Sequence, residues 1–240
     1  MIQISEHIFL DKNIFELDIT TAFLPSPYKL YPYLIIKNFL APHELHLIVD
    51  SIYKDQDAQV AKVKSEVIHG VVEPKVIKKY RDTNIYAIND YLLEMYQNKF
   101  QQIQKEIESY FNVAITLSTS VQALEYLQGG YYVQHADDSN ALIDQDKKIV
   151  GFTPVAPERK ITTVLFATSY SNTPDNKYSF KGGELVFNFL KDKNGNQIEL
   201  KAEAGDMIVF PSNPYFSHEV KKVENGYRLT LVQWHNAILD

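Results

Sequence analysis

The chain has 240 residues, of which 45% are hydrophobic, and this is enough for one large domain with a full apolar core. Its formal net charge is −6 and it has no long basic run, which argues against a nucleic-acid partner. Because it has no cysteine, disulfides, thiolate metal sites and cysteine nucleophiles are excluded, and any bound metal ion must use nitrogen and oxygen ligands.

The first 30 residues carry no pattern of a regular element, and Pro25 and Pro27 interrupt backbone hydrogen bonding there. They also lack the basic segment and apolar run of a signal peptide. No apolar stretch of the chain approaches the roughly 18 residues of a membrane span. We therefore expect a cytoplasmic protein that has no membrane partner.

Two amphipathic helices are expected in the first half of the chain. After a short strand over residues 33–37, Pro42 suits the first turn of a helix. The apolar stripe of this helix comprises Leu45, Ile48, Val49 and Ile52. Residues 55–80 are mixed and polar, and they predict strands or a loop. Residues 81–84 read as a lead-in to a second helix, whose apolar positions recur with a helical period over residues 88–110.

After residue 112 the chain changes to short segments that are β-branched or aromatic and are bounded by Gly, Pro, Asn or Asp. A hairpin turn is expected at residues 193–196. Residues 138–158 and 169–181 are expected to be long loops. The predicted strands cover residues 113–117, 121–127, 161–166, 184–189, 207–210 and 227–234.

Helices followed by many strands predict an α+β fold, in which N-terminal helices buttress a jelly-roll core. This core would be a double-stranded β-helix. The helical support region would cover residues 1–112 and the jelly-roll catalytic domain residues 113–240, packed together as one compact unit. The sequence leaves the oligomeric state open.

The segment that ends in His135 and Asp137 is the first candidate for chemistry. Residues two apart on a β-strand point to the same face, so this pair could present an imidazole and a carboxylate to one metal ion. A solvated pair at a strand end is the alternative for such a short motif. His218 supplies a second imidazole far along the chain. Two histidines and one carboxylate form the ligand set of non-haem iron(II) oxygenases and leave coordination positions open.

Arg228 lies within the apolar strand predicted over residues 227–234. Burying its charge there would be costly unless an anion met the guanidinium, whose planar fork pairs bidentately with a carboxylate. A surface ion pair is the alternative for this arginine.

These residues resemble a known family. The spacing of Tyr126, Gly129, Tyr132, His135 and Asp137 is similar to the first metal motif of the prolyl 4-hydroxylase-like 2-oxoglutarate/iron(II) dioxygenases. The resemblance spans roughly the last half of the chain. Further motifs of that family resemble residues 159–166, 182–185, 205–212 and 218–228, and its opening helix resembles residues 39–45.

The resemblance implies that His135, Asp137 and His218 bind iron(II), and that no catalytic residue acts beyond this metal site. Asp138 would point to the opposite face and is not counted as a ligand. Dioxygen and 2-oxoglutarate would react at the iron to give succinate and carbon dioxide, with hydroxylation of an unactivated C–H bond. Ascorbate is a candidate reductant.

The resemblance also implies residues for the 2-oxoglutarate pocket. Arg228 would bind the far carboxylate, with the Tyr126 hydroxyl as a second donor. Tyr132 would line this pocket or, equally, pack inside the barrel. Gly182 and Gly183 would serve a turn into a strand near the site.

The substrate is expected to be a peptidyl residue, proline first, gripped by the aromatic residues of the two long loops. The candidate substrate residues are Phe152, Tyr170, Tyr178 and Arg81. The same chemistry on a free amino acid or another small molecule stays open. So does a catalytically silent jelly-roll binding module, although the intact motifs argue against it. A cupin-type metal enzyme is a weaker alternative, because its His-x-His pair is absent.

Overall fold

The computed structural model describes residues 1–20, 28–54, 59–60, 63–66, 72–75, 80–146 and 148–239. The expectation for Pro25 and Pro27 lies outside these residues, as does part of the region 55–80. Within the described ranges, neither helix is long and apolar enough to cross a membrane.

Helix α1, Pro42–Lys54, begins where the sequence predicted. The Glu44 carboxylate accepts a hydrogen bond from the backbone N–H of Ala41, with 2.7 Å between the two atoms, and this caps the first turn. All four residues of the predicted apolar stripe are buried.

Helix α2, Asp90–Phe111, begins two residues later than predicted, because Asn89 caps it. The Asn89 side chain accepts a hydrogen bond from the backbone N–H of Leu92 at 3.0 Å. The helix ends at Asn112, which adopts the left-handed conformation with φ of 52°. The lead-in expected over residues 81–84 is wrong, since three of these four residues lie in strands.

The described residues form 23 strands and, in addition, two short 3-10 helices at Lys12–Glu16 and Pro214–Phe216. The strands before α2 are β1 (Ile2–Gln3), β2 (Phe9–Leu10), β3 (Asp18–Ile19), β4 (Leu34–Ile36), β5 (Gln59–Val60), β6 (Val63–Glu66), β7 (Val72–Lys75), β8 (Arg81–Asp82) and β9 (Asn84–Ala87). The strands after α2 are β10 (Val113–Ser118), β11 (Gln122–Tyr126), β12 (Tyr131–His135), β13 (Ser139–Ile143), β14 (Ile149–Pro154), β15 (Arg159–Phe166), β16 (Ser169–Tyr170), β17 (Ser179–Gly182), β18 (Leu185–Lys191), β19 (Gln197–Leu200), β20 (Met207–Pro211), β21 (His218–Val220), β22 (Val223–Gly226) and β23 (Arg228–Leu239).

Two large sheets hold most of these strands. The first has seven strands, in the order β1-β2-β18-β21-β12-β8, with β19 paired to β18. The second has eight strands, in the order β4-β20-β15-β23-β11-β9-β5, with β10 paired to β23. Smaller sheets are β13-β14-β3, β16-β17-β22 and β6-β7. Strands from both sides of residue 112 pair within each large sheet, and the domain boundary expected there stays a prediction.

The two faces of the eight-stranded sheet pack against different partners. On β23, Leu229 and Leu231 join an apolar cluster that includes the buried stripes of α1 and α2. Val232 belongs instead to a second cluster, which takes side chains from both large sheets. Because side chains alternate along a strand, Arg228 and Thr230 share the face of Val232 and point toward the other sheet.

The expectation of a loop over residues 138–158 is wrong. Strands β13 and β14 form an antiparallel hairpin within it. Strand β14 also pairs in parallel with β3, and a Cβ atom at Gly151 would lie 2.6 Å from the carbonyl oxygen of Asp18. A strand partner more than a hundred residues away leaves no local signal in the sequence.

The segment 169–181 is also more ordered than a loop, since it contains β16 and most of β17. It is tied to α1 by two contacts. The Tyr178 hydroxyl donates to a carboxylate oxygen of Asp50 at 2.8 Å, and the Lys177 amine lies 2.7 Å from the same oxygen.

His235 is a structural residue. It is fully buried, its ring stacks on Phe100 with centroids 4.6 Å apart, and its two nitrogens contact the hydroxyls of Ser118 and Thr163 at 2.7 and 3.1 Å. Burial lowers the pKa of His235 to about 3.

This buried imidazole should make the fold sensitive to acid. The unfolded chain takes up a proton at His235 below about pH 6.5, whereas the folded chain does not until about pH 3. The free energy of unfolding should therefore fall by about 1.4 kcal/mol per pH unit from this group as the pH drops through that window. The free energy of unfolding of His235→Gln, measured with urea between pH 7 and pH 4.5, should depend less steeply on pH than that of the wild type. The difference in slope should correspond to about one proton. The matched variant His43→Gln, at an exposed position, should keep the wild-type slope.

Candidate active site

Two neighbouring strands bring the predicted imidazoles together. Strands β12 and β21 are antiparallel, and His135 lies directly opposite His218 in their register. Asp137 follows the end of β12, and its backbone N–H donates to the carbonyl oxygen of Ser212 at 3.1 Å. The carboxylate is thus fixed just beyond the strand rather than on it, but it still faces both rings.

The three side chains form a cluster that fits one metal ion. The Nε2 atom of His135 lies 3.8 Å from Oδ1 of Asp137, and the Nε2 atom of His218 lies 4.0 Å from Oδ2. One ligand atom from each residue lies within 4.8 Å of the other two. Asp138 is not part of this cluster, as expected.

Outer hydrogen bonds orient the ligand atoms. The Nδ1 atoms of His135 and His218 lie 3.0 and 3.1 Å from the backbone oxygens of Val133 and Phe216. A carbonyl oxygen only accepts, so each Nδ1 carries a proton, and Nε2 is the ring nitrogen that is free to bind a metal ion beside Asp137. The Thr162 hydroxyl completes the arrangement.

The Thr162 hydroxyl donates a hydrogen bond to Oδ2 of Asp137 at 2.8 Å. Burial raises the pKa of Asp137, but the nearby His218 and His135 and the Thr162 hydrogen bond outweigh it, so the pKa is lowered and the carboxylate is ionised. Burial, reinforced by His218, lowers the pKa of His135 to about 3. A neutral imidazole and an ionised carboxylate are the forms that bind a divalent metal, and this donor set suits iron(II).

Tyr132 packs directly against the cluster. Its ring is stacked on His135, with centroids 3.6 Å apart and planes inclined by 13°. The guanidinium carbon of Arg81 lies 4.6 Å from the centroid of the Tyr132 ring. Burial raises the pKa of Tyr132 to about 12, so its hydroxyl is neutral.

Arg228 is a buried cation without a carboxylate partner among the described residues. Its Nε atom donates to the backbone oxygen of Gly183 at 2.7 Å, and Nη1 contacts the Thr230 hydroxyl at 3.4 Å. Its guanidinium carbon lies 4.7 Å from the centroid of the Tyr126 ring. Burial lowers the pKa of Arg228 to about 10, which leaves it charged at neutral pH. The arrangement fits an anionic ligand that brings its own carboxylate.

Gly183 determines the position of Arg228. It lies between β17 and β18 with φ of +65°, and a Cβ atom there would lie 2.8 Å from Cδ of Arg228. We expect Gly183→Ala to displace the guanidinium and to weaken 2-oxoglutarate binding by tenfold or more, because a charge-assisted hydrogen bond is worth about 1.5–3 kcal/mol. Calorimetric titration of the iron-loaded protein would measure this.

Gly195→Ala is the matched control. Gly195 also has a positive φ, +86°, but a Cβ atom there would meet only Met1 atoms, no closer than 3.8 Å. Both variants incur the cost of a left-handed conformation, about 1–2 kcal/mol. Equal 2-oxoglutarate affinities in the two variants would show that Gly183 does not position Arg228.

The metal cluster and Arg228 share one cavity of about 240 Å³. The predicted site residues in its lining are His135, Asp137, His218, Arg228, Tyr126, Tyr132 and Arg81. No role was predicted for three further lining residues, Thr162, Arg159 and Trp234. The alternation of β15 was the available signal for Thr162, because it puts this residue on the same face as the cavity-lining Val164.

The three aromatic residues expected to grip a substrate lie elsewhere. Phe152 is packed in the hairpin and is 2% exposed. Tyr170 lies against Phe180, with ring centroids 6.1 Å apart, and Tyr178 is bonded to α1. None of the three lines the cavity that holds the metal cluster.

Comparison with known proteins first gives a family match over part of the chain. Residues 121–236 match the sequence profile of the 2OG-Fe(II) oxygenase superfamily. This segment contains the metal cluster and Arg228, and it confirms the resemblance found in the sequence. The family implies iron(II) and 2-oxoglutarate as cofactors, and dioxygen as the co-reactant.

Particular relatives share a shorter segment. The chain is 41% identical over 66 residues to a PKHD-type hydroxylase of Prochlorococcus marinus, which is 28% of this chain and 27% of that protein. It is 42% identical over 79 residues to a PKHD-type hydroxylase of Rippkaea orientalis, which is 33% of this chain and 30% of that protein. The matched part therefore spans less than a third of either curated relative.

Solved structures share the fold over most of the chain. A prolyl-4-hydroxylase of Pseudomonas putida superposes with a TM-score of 0.59 at 16% identity, covering 86% of this chain and 92% of that one. A prolyl hydroxylase of Trichoplax adhaerens, in complex with a hypoxia inducible factor peptide fragment, gives 0.59 at 18% identity, covering 85% and 83%. This chain, which is mostly β-sheet with two helices, thus shares its overall fold with these proteins.

Proposed function

We propose that the chain is an iron(II)- and 2-oxoglutarate-dependent dioxygenase that hydroxylates an unactivated C–H bond, in a peptidyl residue such as proline. The observation that carries the proposal is the meeting of the histidine–aspartate cluster and the unpaired Arg228 in one cavity. A two-histidine, one-carboxylate set suits iron(II), and a buried guanidinium suits the carboxylate of an oxo acid.

The chain's residues have separate tasks in this proposal. Bound iron(II) would supply the activation of dioxygen with 2-oxoglutarate. His135, Asp137 and His218 hold the ion, while the Thr162 hydroxyl keeps the carboxylate oriented. Arg228 pairs with the far carboxylate of 2-oxoglutarate in a buried site, where a charge-assisted hydrogen bond is strong because water is excluded.

The two tyrosines of the pocket complete the site. Tyr126 contributes its hydroxyl as a second donor to 2-oxoglutarate, and it lines the cavity beside Arg228. Tyr132 restricts the rotation of the His135 ring through its stacking contact.

We also propose the finer architecture expected from the sequence. The two large sheets form a double-stranded β-helix, and α1 and α2 support it as an N-terminal region of residues 1–112 on a catalytic domain of residues 113–240. Two apolar clusters support this reading, one between the helices and the eight-stranded sheet and one shared by both sheets.

A peptide substrate is favoured by the resemblance to prolyl hydroxylases, one of which binds a peptide fragment. Hydroxylation of a free amino acid or another small molecule is the second candidate. It is favoured by the small cavity and by the position of Phe152, Tyr170 and Tyr178 outside it. Ascorbate as reductant and a cytoplasmic location remain predictions.

Succinate release tests the proposal. The iron-loaded protein should convert 2-oxoglutarate to succinate in an oxygen- and iron-dependent way, and a true substrate should stimulate this. Proline-containing peptides and free amino acids are the two arms that separate the candidates. A protein that binds neither iron(II) nor 2-oxoglutarate would instead be the silent binding module, and the proposal would be wrong.

A further inference from the structure

The cavity gathers every arginine of the chain. Arginine occurs only at Arg81, Arg159 and Arg228, whereas the other basic residues of the 24 are lysines. All three arginines line the cavity, and no lysine of the described residues does. In the described lining, Asp137 is the one carboxylate. The lining therefore carries excess positive charge in groups that are shaped to bind carboxylates.

Iron(II) and 2-oxoglutarate do not balance this charge. Iron(II), Arg228 and Asp137 together carry two positive charges. The two carboxylates of 2-oxoglutarate offset these charges. The positive charges of Arg81 and Arg159 then remain without a counterpart. Unpaired cations in a largely buried site are costly, so a further anion would stabilise the loaded site.

Arg81 has an unused donor. It lies on β8 at the edge of the seven-stranded sheet, is 9% exposed, and is held against the ring of Tyr132. Its Nε atom is buried without a hydrogen-bond partner. A buried donor without a partner is destabilising, and a ligand oxygen would satisfy it.

Arg159 reaches the cavity from the other sheet, at the start of β15. Its guanidinium carbon lies 4.3 Å from the ring centroid of Trp234, and its Nη1 atom donates to the backbone oxygen of Asp137 at 3.1 Å. No other acceptor among the described residues contacts its guanidinium. The stacked and anchored group thus presents its remaining N–H donors in a fixed orientation beside the metal cluster.

We propose that the molecule hydroxylated in this cavity carries a carboxylate, and that Arg81 and Arg159 recognise it. The inference rests on the proposed function and names its substrate class. The carboxylate belongs to a free amino acid or to the C-terminus of a peptide, and both sources offer the same pair of oxygens. The amides of Gln122 and Asn140, also in the lining, provide neutral contacts for the rest of the substrate.

Matched acid and amide ligands test this inference. The protein is loaded with iron(II) and 2-oxoglutarate without oxygen, so that binding is measured by calorimetry without turnover. The probes are free L-amino acids and their amides, N-acetyl-L-proline and its amide, and a proline-containing peptide with a free or amidated C-terminus. At least one acid should bind tenfold or more tightly than its amide, and the pair that does so identifies the source of the carboxylate. If no acid exceeds its amide, the inference is wrong.

Charge-removing variants identify the recognition residues. Arg81→Gln and Arg159→Gln should each reduce the preference for the acid by about tenfold to a hundredfold. Arg81→Lys and Arg159→Lys keep the charge but lose the planar fork, and these variants should retain part of the preference for the acid. Lys148→Gln removes one charge from an exposed position outside the cavity and should retain the full preference for the acid. A wild-type preference in the double glutamine variant would overturn the assignment.

The affinity for 2-oxoglutarate, measured first in every protein, keeps the two proposals separate. A wild-type protein that does not bind it contradicts the proposed function. Normal 2-oxoglutarate affinity without any preference for an acid contradicts the substrate class alone. Loss of 2-oxoglutarate binding in Arg81→Gln, with the acid preference intact, would assign Arg81 to the co-substrate and overturn its role here.

Discussion

Asp137→Ala should abolish iron-dependent succinate release while the chain remains folded. The residue supplies the only anionic ligand of the cluster, beside two imidazoles. Its loss should lower iron affinity by more than the 10- to 100-fold that is typical of changes to groups behind the ligands. Anaerobic iron titration and the succinate assay would measure the two effects, and urea unfolding would check the fold.

The adjacent Asp138→Asn is the control for this variant. Asp138 is also buried, but its carboxylate accepts a hydrogen bond from the Ser139 hydroxyl at 2.6 Å and lies outside the cluster. The Asp138→Asn variant should bind iron as the wild type does. His218→Ala gives a second test of the cluster, because wild-type turnover in that variant would rule out the assigned metal site.

The second large effect is expected at Arg228. Arg228→Lys keeps a positive charge but loses the Nε donor that holds the side chain on Gly183, together with the bidentate fork. The affinity of the iron-loaded protein for 2-oxoglutarate should fall about tenfold to a hundredfold. Arg228→Gln removes the charge as well and should bind more weakly still.

Calorimetry at constant iron saturation separates this effect from metal loss. Both variants should take up iron as the wild type does, because Arg228 is not among the cluster residues. If all three proteins bind 2-oxoglutarate equally, the unpaired guanidinium serves another ligand.

The sequence predicted the parts of the site that local patterns determine. The imidazoles, the carboxylate and Arg228 were predicted from motif spacing and from the family resemblance, and the structure brings all four to one cavity. The hairpin of β13 and β14 was missed because β14 completes its pairing with β3, near residue 18. The direction of aromatic side chains such as Tyr178 depends on contacts with α1, which no spacing rule predicts.

Side-chain pairing across the sheets was equally invisible in the sequence. Thr162 and Arg159 are ordinary strand residues in the sequence, and only the fold brings them against Asp137. One glycine has a structural role that its neighbours in the sequence do not reveal. Gly183 was expected at a turn, but its second effect, space for Arg228, depends on a strand that begins 45 residues later along the chain.

The anchoring of Asp137 has a consequence for how the molecule responds to its metal. The two imidazoles belong to the seven-stranded sheet, whereas Asp137 is held by Ser212, which follows β20, and by Thr162 of β15, both from the eight-stranded sheet. An ion bound by all three residues would connect the two large sheets. Removal of the metal would therefore take away a connection between the two sheets.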